Sequence, residues 1–341
     1  MREYFLKLLS GETVNNIRSF AHEAEILGRL HPEQLDIIYS EKWFNLFVPE
    51  KYGGLQLSLP GGLRIEEALA WADGSVGWTV TLCSGANNFI GFLDEKISKE
   101  LFSDPRVCFA GSGHPSGIAK ENEDGFEITG RWKYATGAPH ATIFTAVCKD
   151  VPGAFWFYRD EVIIQEDWSV TGMIATASHS FEVNKLTVPR NRQFFIEPES
   201  ATLAGAIYQY PFLQFAETTL AVNISGMAIR FLELAEEILE QKGTGKNILI
   251  ASNESLTEAR KIFYGAVEHS WDLLMTTGNQ KQVLFDNVSN LSRELASISL
   301  QAVDEIYPYC GLVAANPTTE INRVWRNLHT ASQHSLLLKK N

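Results

Sequence analysis

The sequence predicts a mainly α-helical protein with a central β domain, and three observations carry that expectation. Apolar residues recur at three- and four-residue spacing from Leu6 to about Phe102. The texture then changes to short β-type runs between Val107 and Ile196, and long helical periods return from Ala201 onward. With 341 residues, 45% of them hydrophobic, the chain can bury a large core divided among subdomains. The expected division is an N-terminal helical domain over 1–106, a middle β domain over 107–200 and a C-terminal helical bundle over 201–341.

In chain order, the spacing predicts helices in "TVNNIRSFAHEAEILGRL" and in "LRIEEALAWADGSVGWTVTLCSGANNFIGFL". Between them "WFNLFVPEKYGGLQLS" breaks the period at Pro49, Gly53 and Gly54 and reads as a loop. The stretch from Ala68 to Leu93 is poor in charge, which suits a segment buried on most sides or lining a pocket. Trp71, Trp78 and Phe92 are the candidates for an apolar pocket wall, against the alternative of plain core. The runs "FEITGRWKYATG", "ATIFTAVCK", "GAFWFYR" and "FEVNKLTVP", each bounded by Gly, Pro, Asp or Asn, predict an antiparallel sheet. Four long helices follow, roughly Phe212 to Lys242, Ser255 to Thr277, Val283 to Tyr307 and Thr318 to Lys339. Turns are expected at Gly243/Gly245, Gly278/Asn279 and Gly311 to Pro317.

Composition excludes several functions. A formal charge of −12 without a Lys/Arg run would repel a phosphate backbone, so nucleic acid is not an expected partner. No window approaches the ~18 uninterrupted apolar residues of a membrane span, and a soluble, cytoplasmic protein is expected. Cys83, Cys108, Cys148 and Cys310 lack CxxC spacing, so they read as small buried apolar residues, and no metal site is expected. The chain has no GxGxxG between a strand and a helix, no GxxxxGK[ST], no HExxH and no GxSxG. These absences weigh against a Rossmann dehydrogenase, a P-loop enzyme and a serine hydrolase.

The end of the chain poses the sharpest question. If "NLHTASQHSLL" is helical, Arg326, His329, Thr330, Gln333 and His334 share one arc, with Val324, Leu328, Ala331 and Leu338 opposite. Two imidazoles, a hydroxyl and a carboxamide are unusual on a solvated face, which normally carries Lys and Glu. The arc therefore reads either as a surface stripe or as the wall of a site. His329 and His334, five residues apart on a helix, would diverge by about 140°, a poor geometry for joint metal ligation.

Three further stretches, in the right order, resemble the acyl-CoA dehydrogenase superfamily of flavoproteins. They are "LFVPEKYGGLQLSLPGGLRIEEALAWADGSVGWTVTL", "ITGRWKYATGAPHA" and "DWSVTGMIATASHSFEVNKLTVP", the last with a Gly-Met-x-x-Thr-x-Ser core. The resemblance covers nearly the whole chain. It implies an acyl-CoA dehydrogenase-like architecture: an N-terminal helical domain, an antiparallel β-barrel-like middle domain and a C-terminal helical bundle. It also implies bound flavin, expected as FAD with FMN as the alternative. By the same resemblance Tyr134, Ala135 and Thr136 stand at the flavin N5 and O4 edge. Thr176, Ser178, Ser112 and His114 stand toward the ribityl-phosphate region, although "AGSGHPSG" departs from the family's Thr-Glu-Pro-Gly-Ala-Gly-Ser pattern. Arg326 and Gln333 are further cofactor candidates, and His329 joins the pocket wall.

In acyl-CoA dehydrogenases a carboxylate takes the substrate's α-proton as hydride leaves for the flavin. It commonly lies about nine residues beyond an Arg-Asp pair, yet this chain has Arg326 and Asn327 and no acid from Leu328 to Leu338. "RNLHTASQH" resembles instead the flavin-dependent monooxygenase branch, in which a separate reductase supplies reduced flavin and a histidine facing the isoalloxazine suppresses peroxide loss. His334 and Thr136 are the implied catalytic pair. Asn327 departs from that branch's pattern as well, and "EQKGTGKNILIASNESL" lacks the dehydrogenases' Arg-x-x-Phe-Gly. Three readings follow: a two-component monooxygenase acting on a small organic substrate, an acyl-CoA dehydrogenase using Glu217, Glu233, Glu236 or Glu237, and a non-catalytic flavin-binding homologue. The long amphipathic helices fit a homotetramer or homodimer.

Overall fold

Capping residues set the first helix ends. Ser10 Oγ accepts the Thr13 N–H at 3.0 Å, and His31 with Gln34 closes a reciprocal capping box. In this computed structural model, which describes residues 1–274 and 280–338, the N-terminal helices are α1 (Arg2–Leu8), α2 (Gly11–Ser19), α3 (Ala21–Leu27) and α4 (Pro32–Ser40). The low-charge segment forms α5 (Leu59–Ala72) and α6 (Gly74–Asn87), divided at Asp73, whose Oδ1 caps the Val76 N–H at 3.0 Å. Helix α7 (Glu95–Leu101) follows. The loop expected between helices is present, tightened by 3₁₀ turns at Trp43–Asn45 and Glu50–Tyr52.

The strands are β1 (Phe109–Asn122), β2 (Gly125–Ala135), β3 (Ile143–Cys148), β4 (Ala154–Tyr158), β5 (Ile163–Gln165), β6 (His179–Val188) and β7 (Gln193–Phe194). They form one seven-stranded sheet in the order β5-β6-β2-β1-β3-β4-β7. The expectation of a purely antiparallel sheet needs correction, because β1 and β3 run parallel. The chain reverses once between β1 and β2 and again in the turn before β3, so β3 lies along the other edge of β1 in the same direction, with the register along β1 shifting between Ser112 and Gly117. Phe109–Ser112 and Gly117 pair with β3, and Ile118–Asn122 pairs with β2.

The C-terminal helices are α8 (Ala206–Gln209), α9 (Phe212–Lys242), α10 (Lys246–Asp272), α11 (Gln280–Cys310), α12 (Leu312–Ala315) and α13 (Glu320–Ala331). The α9–α10 turn uses Gly243 and Gly245, both at positive φ. The expected Gly278/Asn279 turn and the helix end at Thr277 fall outside the described residues, as does Lys339. A second correction concerns the last helix, which stops at Ala331 and gives way to a 3₁₀ turn at Ser335–Leu337. His334 lies outside the helix, and its Nδ1 accepts the Leu336 N–H at 3.3 Å, a local bond that competes with helix propagation. The polar arc expected of a continuous helix therefore does not exist as one face. Nearly all of α5 and α6 is buried, and the core divides into a large helical cluster and a smaller one inside the sheet.

Candidate functional site

The site is built where β2 ends against the loop preceding β6. Pairing of Ala135 with His179 brings the two chain segments side by side. Tyr134 adopts φ 68°, Met173 φ 57° and Ala177 φ 45°, so three of the six non-glycine residues at positive φ among the described residues meet here. Each such conformation costs on the order of 1–3 kcal/mol and persists only where surrounding contacts enforce it, commonly at functional sites. Gly137 turns the chain at φ 77°, and its N–H donates to the Thr176 carbonyl at 2.9 Å.

Three buried hydroxyls connect across this junction. Thr136 Oγ1 lies 2.8 Å from Ser178 Oγ, Ser178 Oγ lies 2.8 Å from Thr176 Oγ1, and Thr176 Oγ1 donates to the Met173 carbonyl at 2.8 Å. The same carbonyl accepts the Trp168 Nε1–H at 2.9 Å, while the Met173 N–H donates to Asn327 Oδ1 at 2.6 Å. Met173 is thus a hub whose peptide is held from both sides. Gly172 makes the approach possible, since a Cβ there would sit 2.0 Å from the Arg326 carbonyl oxygen.

Helix α6 lines this junction and reaches the chain's last segment. Cys83 Sγ donates to the Thr136 carbonyl at 3.7 Å, and Thr79 shares that helix face, near Gly137. Trp78, about 100° round the helix from Thr79, meets the His334 ring edge-on at 6.0 Å. Burial lowers the His334 pKa from its ordinary value. The ring is therefore neutral at pH 7, and because Nδ1 accepts the Leu336 N–H, its proton is carried on Nε2. No described residue hydrogen-bonds that Nε2–H.

The other sequence candidates have diverse placements. Ala135 is buried, whereas Tyr134 is 66% exposed, its ring edge-on to Trp168 at 6.1 Å. Ser112 and His114 occupy the bulged, open part of β1, where His114 is exposed. Arg326 is committed to Glu25, bridging at 2.6 and 3.0 Å, and donates to the Thr171 carbonyl at 2.6 Å. His329 points elsewhere than His334: Nε2 lies 2.9 Å from Asp304 and Nδ1 2.8 Å from the Trp325 carbonyl. Gln333 is exposed. Trp71 is fully buried with Nε1 donating to Glu233 at 2.8 Å, and Phe92 packs edge-on against Tyr208 at 5.9 Å. Both occupy core positions.

Of the glutamates considered as a base, Glu217 is bound to Arg293 at 2.5 Å, and Glu233 to Trp71 and Arg230. Glu236 and Glu237 are exposed. Sequence reasoning missed Trp168 and the Met173 peptide, although both stand within the third family-like stretch. It also missed Glu66, fully buried on α5 with Oε1 accepting from Ser84 at 3.1 Å and Oε2 unpartnered among the described residues. Burial pushes its carboxyl well above the usual range and so favours its protonated form. No spacing signal marks such a group, because its burial comes from helices distant in sequence.

This donor and acceptor set suits the polar edge of a flavin: two aromatic side chains at the junction, a hydroxyl at the β2 end and a free imidazole N–H on the adjoining segment. No family model matches the chain. Indole-3-acetate monooxygenase of Pseudomonas putida is 24% identical over 328 residues, covering 89% of this chain and 82% of that protein. The oxygenase subunit HsaA, a flavin-dependent monooxygenase of Mycobacterium tuberculosis, is 24% identical over 351 residues, covering 94% and 88%. Its crystal structure superposes with a TM-score of 0.88 over 96% of this chain and 92% of that one. The structure of XiaF from Streptomyces sp., in complex with FADH2 and glycerol, is 20% identical, with a TM-score of 0.85 over 98% and 93%. The chain therefore shares the acyl-CoA dehydrogenase-like fold of these structures, and the two relatives it matches over most of its length are named as monooxygenases.

Proposed function

We propose that the chain is the oxygenase of a two-component flavin monooxygenase, taking FAD reduced by a separate reductase and hydroxylating a small aromatic compound. The observation that carries this reading is His334: a neutral imidazole against Trp78, its Nε2–H without a partner among the described residues, in a terminal segment with no acid. Reduced flavin supplies two electrons to O2, so that one oxygen atom enters the substrate and the other leaves as water. His334 donates its Nε2–H toward the reacting oxygen and restrains its escape as hydrogen peroxide. Thr136 meets the flavin's N5 edge, Tyr134 and Trp168 flank it, and Ser112 and His114 serve the ribityl-phosphate region. Trp78 forms the apolar wall on the α6 side.

Several observations support the finer parts of the reading. XiaF is described with FADH2, which favours FAD over FMN. HsaA is named an oxygenase subunit, which fits a separate reductase, and indole-3-acetate monooxygenase is named for an aromatic acid. The long helices α9, α10 and α11 support assembly as a homotetramer or homodimer as part of this reading. The dehydrogenase alternative needs a carboxylate free to take a proton, and the four glutamates it would draw on are either ion-paired, hydrogen-bonded or exposed. The test is to load the protein anaerobically with chemically reduced FAD, add an aromatic acid and O2, and quantify hydroxylated product and peroxide. Product in excess of peroxide is expected. Absence of thermal stabilisation by FAD or FMN, oxidised or reduced, overturns the reading.

A further inference from the structure

We infer that Ser178 and Thr176 are positioning residues that fix the direction of the Thr136 hydroxyl, turning it into a hydrogen-bond acceptor matched to reduced flavin. The inference rests on the functional reading above for the ligand and its placement against Thr136, and on the hydroxyl geometry for the direction of the chain.

The direction follows from counting protons. A carbonyl can only accept, so the 2.8 Å bond between Thr176 Oγ1 and the Met173 oxygen consumes the single Thr176 hydroxyl proton. Thr176 can then meet Ser178, 2.8 Å away, only as an acceptor, and this consumes the Ser178 proton. Ser178 in turn can meet Thr136, also at 2.8 Å, only as an acceptor, and this consumes the Thr136 proton. The chain therefore runs Thr136 to Ser178 to Thr176 to the Met173 carbonyl, leaving lone pairs alone on Thr136.

The far end of the chain is well anchored. The Met173 carbonyl also takes the Trp168 Nε1–H at 2.9 Å and the Thr176 backbone N–H at 3.2 Å, and the Met173 N–H is held by Asn327 at 2.6 Å. All three hydroxyl residues are at most 5% exposed, so bulk water does not compete for these protons. A reversed chain would leave Thr176 Oγ1 and the Met173 carbonyl oxygen 2.8 Å apart with no proton between them.

Flavin N5 changes its hydrogen-bonding character with redox state. Oxidised N5 is an acceptor, and reduced N5–H is a donor. An acceptor-only Thr136 at that edge completes a bond with reduced flavin and opposes the oxidised nitrogen with its lone pairs. The chain of hydroxyls thereby favours uptake of the reduced cofactor and release of the oxidised one, although neither Ser178 nor Thr176 needs to touch the flavin. In Ser178→Ala the Thr136 proton is released to serve oxidised N5. In Thr176→Val the Ser178 proton can turn toward Thr136, with the same result.

The experiment is an anaerobic titration of the wild-type protein, Ser178→Ala and the isosteric Thr176→Val with oxidised and reduced FAD, read as the ratio of the two dissociation constants. The wild type should prefer reduced FAD by at least about tenfold, and each variant should lower that ratio about tenfold. For a two-electron couple that is a fall of about 30 mV in the bound flavin's potential, measurable independently by dye equilibration. A role confined to packing would weaken both redox states in parallel and leave the ratio unchanged in both variants, which overturns the inference while preserving the monooxygenase reading. Equal wild-type affinity for the two redox states overturns it as well. Failure of wild-type protein to bind either state removes the functional reading and the inference together.

Discussion

Asn327, on the last helix, accepts the Met173 backbone N–H across 2.6 Å, tying that helix to the loop that carries Thr176 and Ser178. The bond joins residues 154 positions apart and is buried. Asn327→Ala leaves a buried N–H without a partner, a loss of about 1–3 kcal/mol. Asn327→Asp keeps an acceptor oxygen and should lose less. Chemical denaturation of the three proteins tests the order wild type, Asp, Ala; an alanine variant as stable as the wild type would show that the loop is held by other contacts.

Gly172 supplies the room for this clamp. A methyl group there would meet the Arg326 carbonyl oxygen at 2.0 Å and the Asn327 nitrogen at 2.6 Å, both backbone atoms that cannot swing aside. Gly172→Ala should destabilise by about 1–3 kcal/mol, as overpacking of a close contact does. Because the displaced segment leads into Thr176, reduced-flavin affinity should fall along with the melting temperature. A stable variant with full affinity would contradict the close approach.

His334→Ala removes the imidazole beside Trp78 and, with it, the free Nε2–H. A hydrogen bond lost from a desolvated site is worth about 1–3 kcal/mol. In the oxygenase assay, the variant should bind reduced flavin nearly as well as the wild type but divert turnover from hydroxylated product to hydrogen peroxide by about tenfold or more. An unchanged peroxide yield would falsify the role assigned to this histidine.

His140, in the turn after Gly137, makes acid stability a reporter of this region. Its buried Nε2 has no hydrogen-bond partner among the described residues, and burial, with Arg29 and Arg106 adding to it, lowers its pKa to about 4. In the unfolded chain the ring protonates near 6.5. Unfolding therefore takes up a proton between these values, so the His140 contribution is complete above pH 6.5 and declines as pH falls toward 4. The slope is about 1.4 kcal/mol per pH unit for one proton. His334, whose pKa burial also lowers, adds to the loss in the same direction. Denaturation midpoints measured from pH 7 to 4.5 should show a shallower decline in His140→Phe than in the wild type, and parallel curves would rule the group out.

What the sequence by itself determined was the order of elements and the residue types that meet at the site. Short β-type runs bounded by Gly, Pro, Asp or Asn marked the strands, and three- and four-residue spacing marked the helices, because burying one face of a helix imposes that period locally. "WKYATG" and the Gly-Met-x-x-Thr-x-Ser stretch pointed to Tyr134, Thr136, Thr176 and Ser178 through their resemblance to the flavoprotein superfamily. Their union into one directed chain of hydroxyls was decided by the β2–β6 pairing, which sets Ala135 beside His179. Periodicity also carried the last helix past its end: His329 and His334 share a pattern in sequence, yet one is drawn to Asp304 on α11 and the other packs against Trp78 on α6. The same held for Trp71 and Trp78, neighbours in pattern, of which one is sealed in the core with Glu233 and the other adjoins His334. Local spacing determines which side of an element is apolar; the choice of neighbour for that side belongs to contacts between residues as far apart as Met173 and Asn327, and these exist only once the sheet and the last helix have packed together.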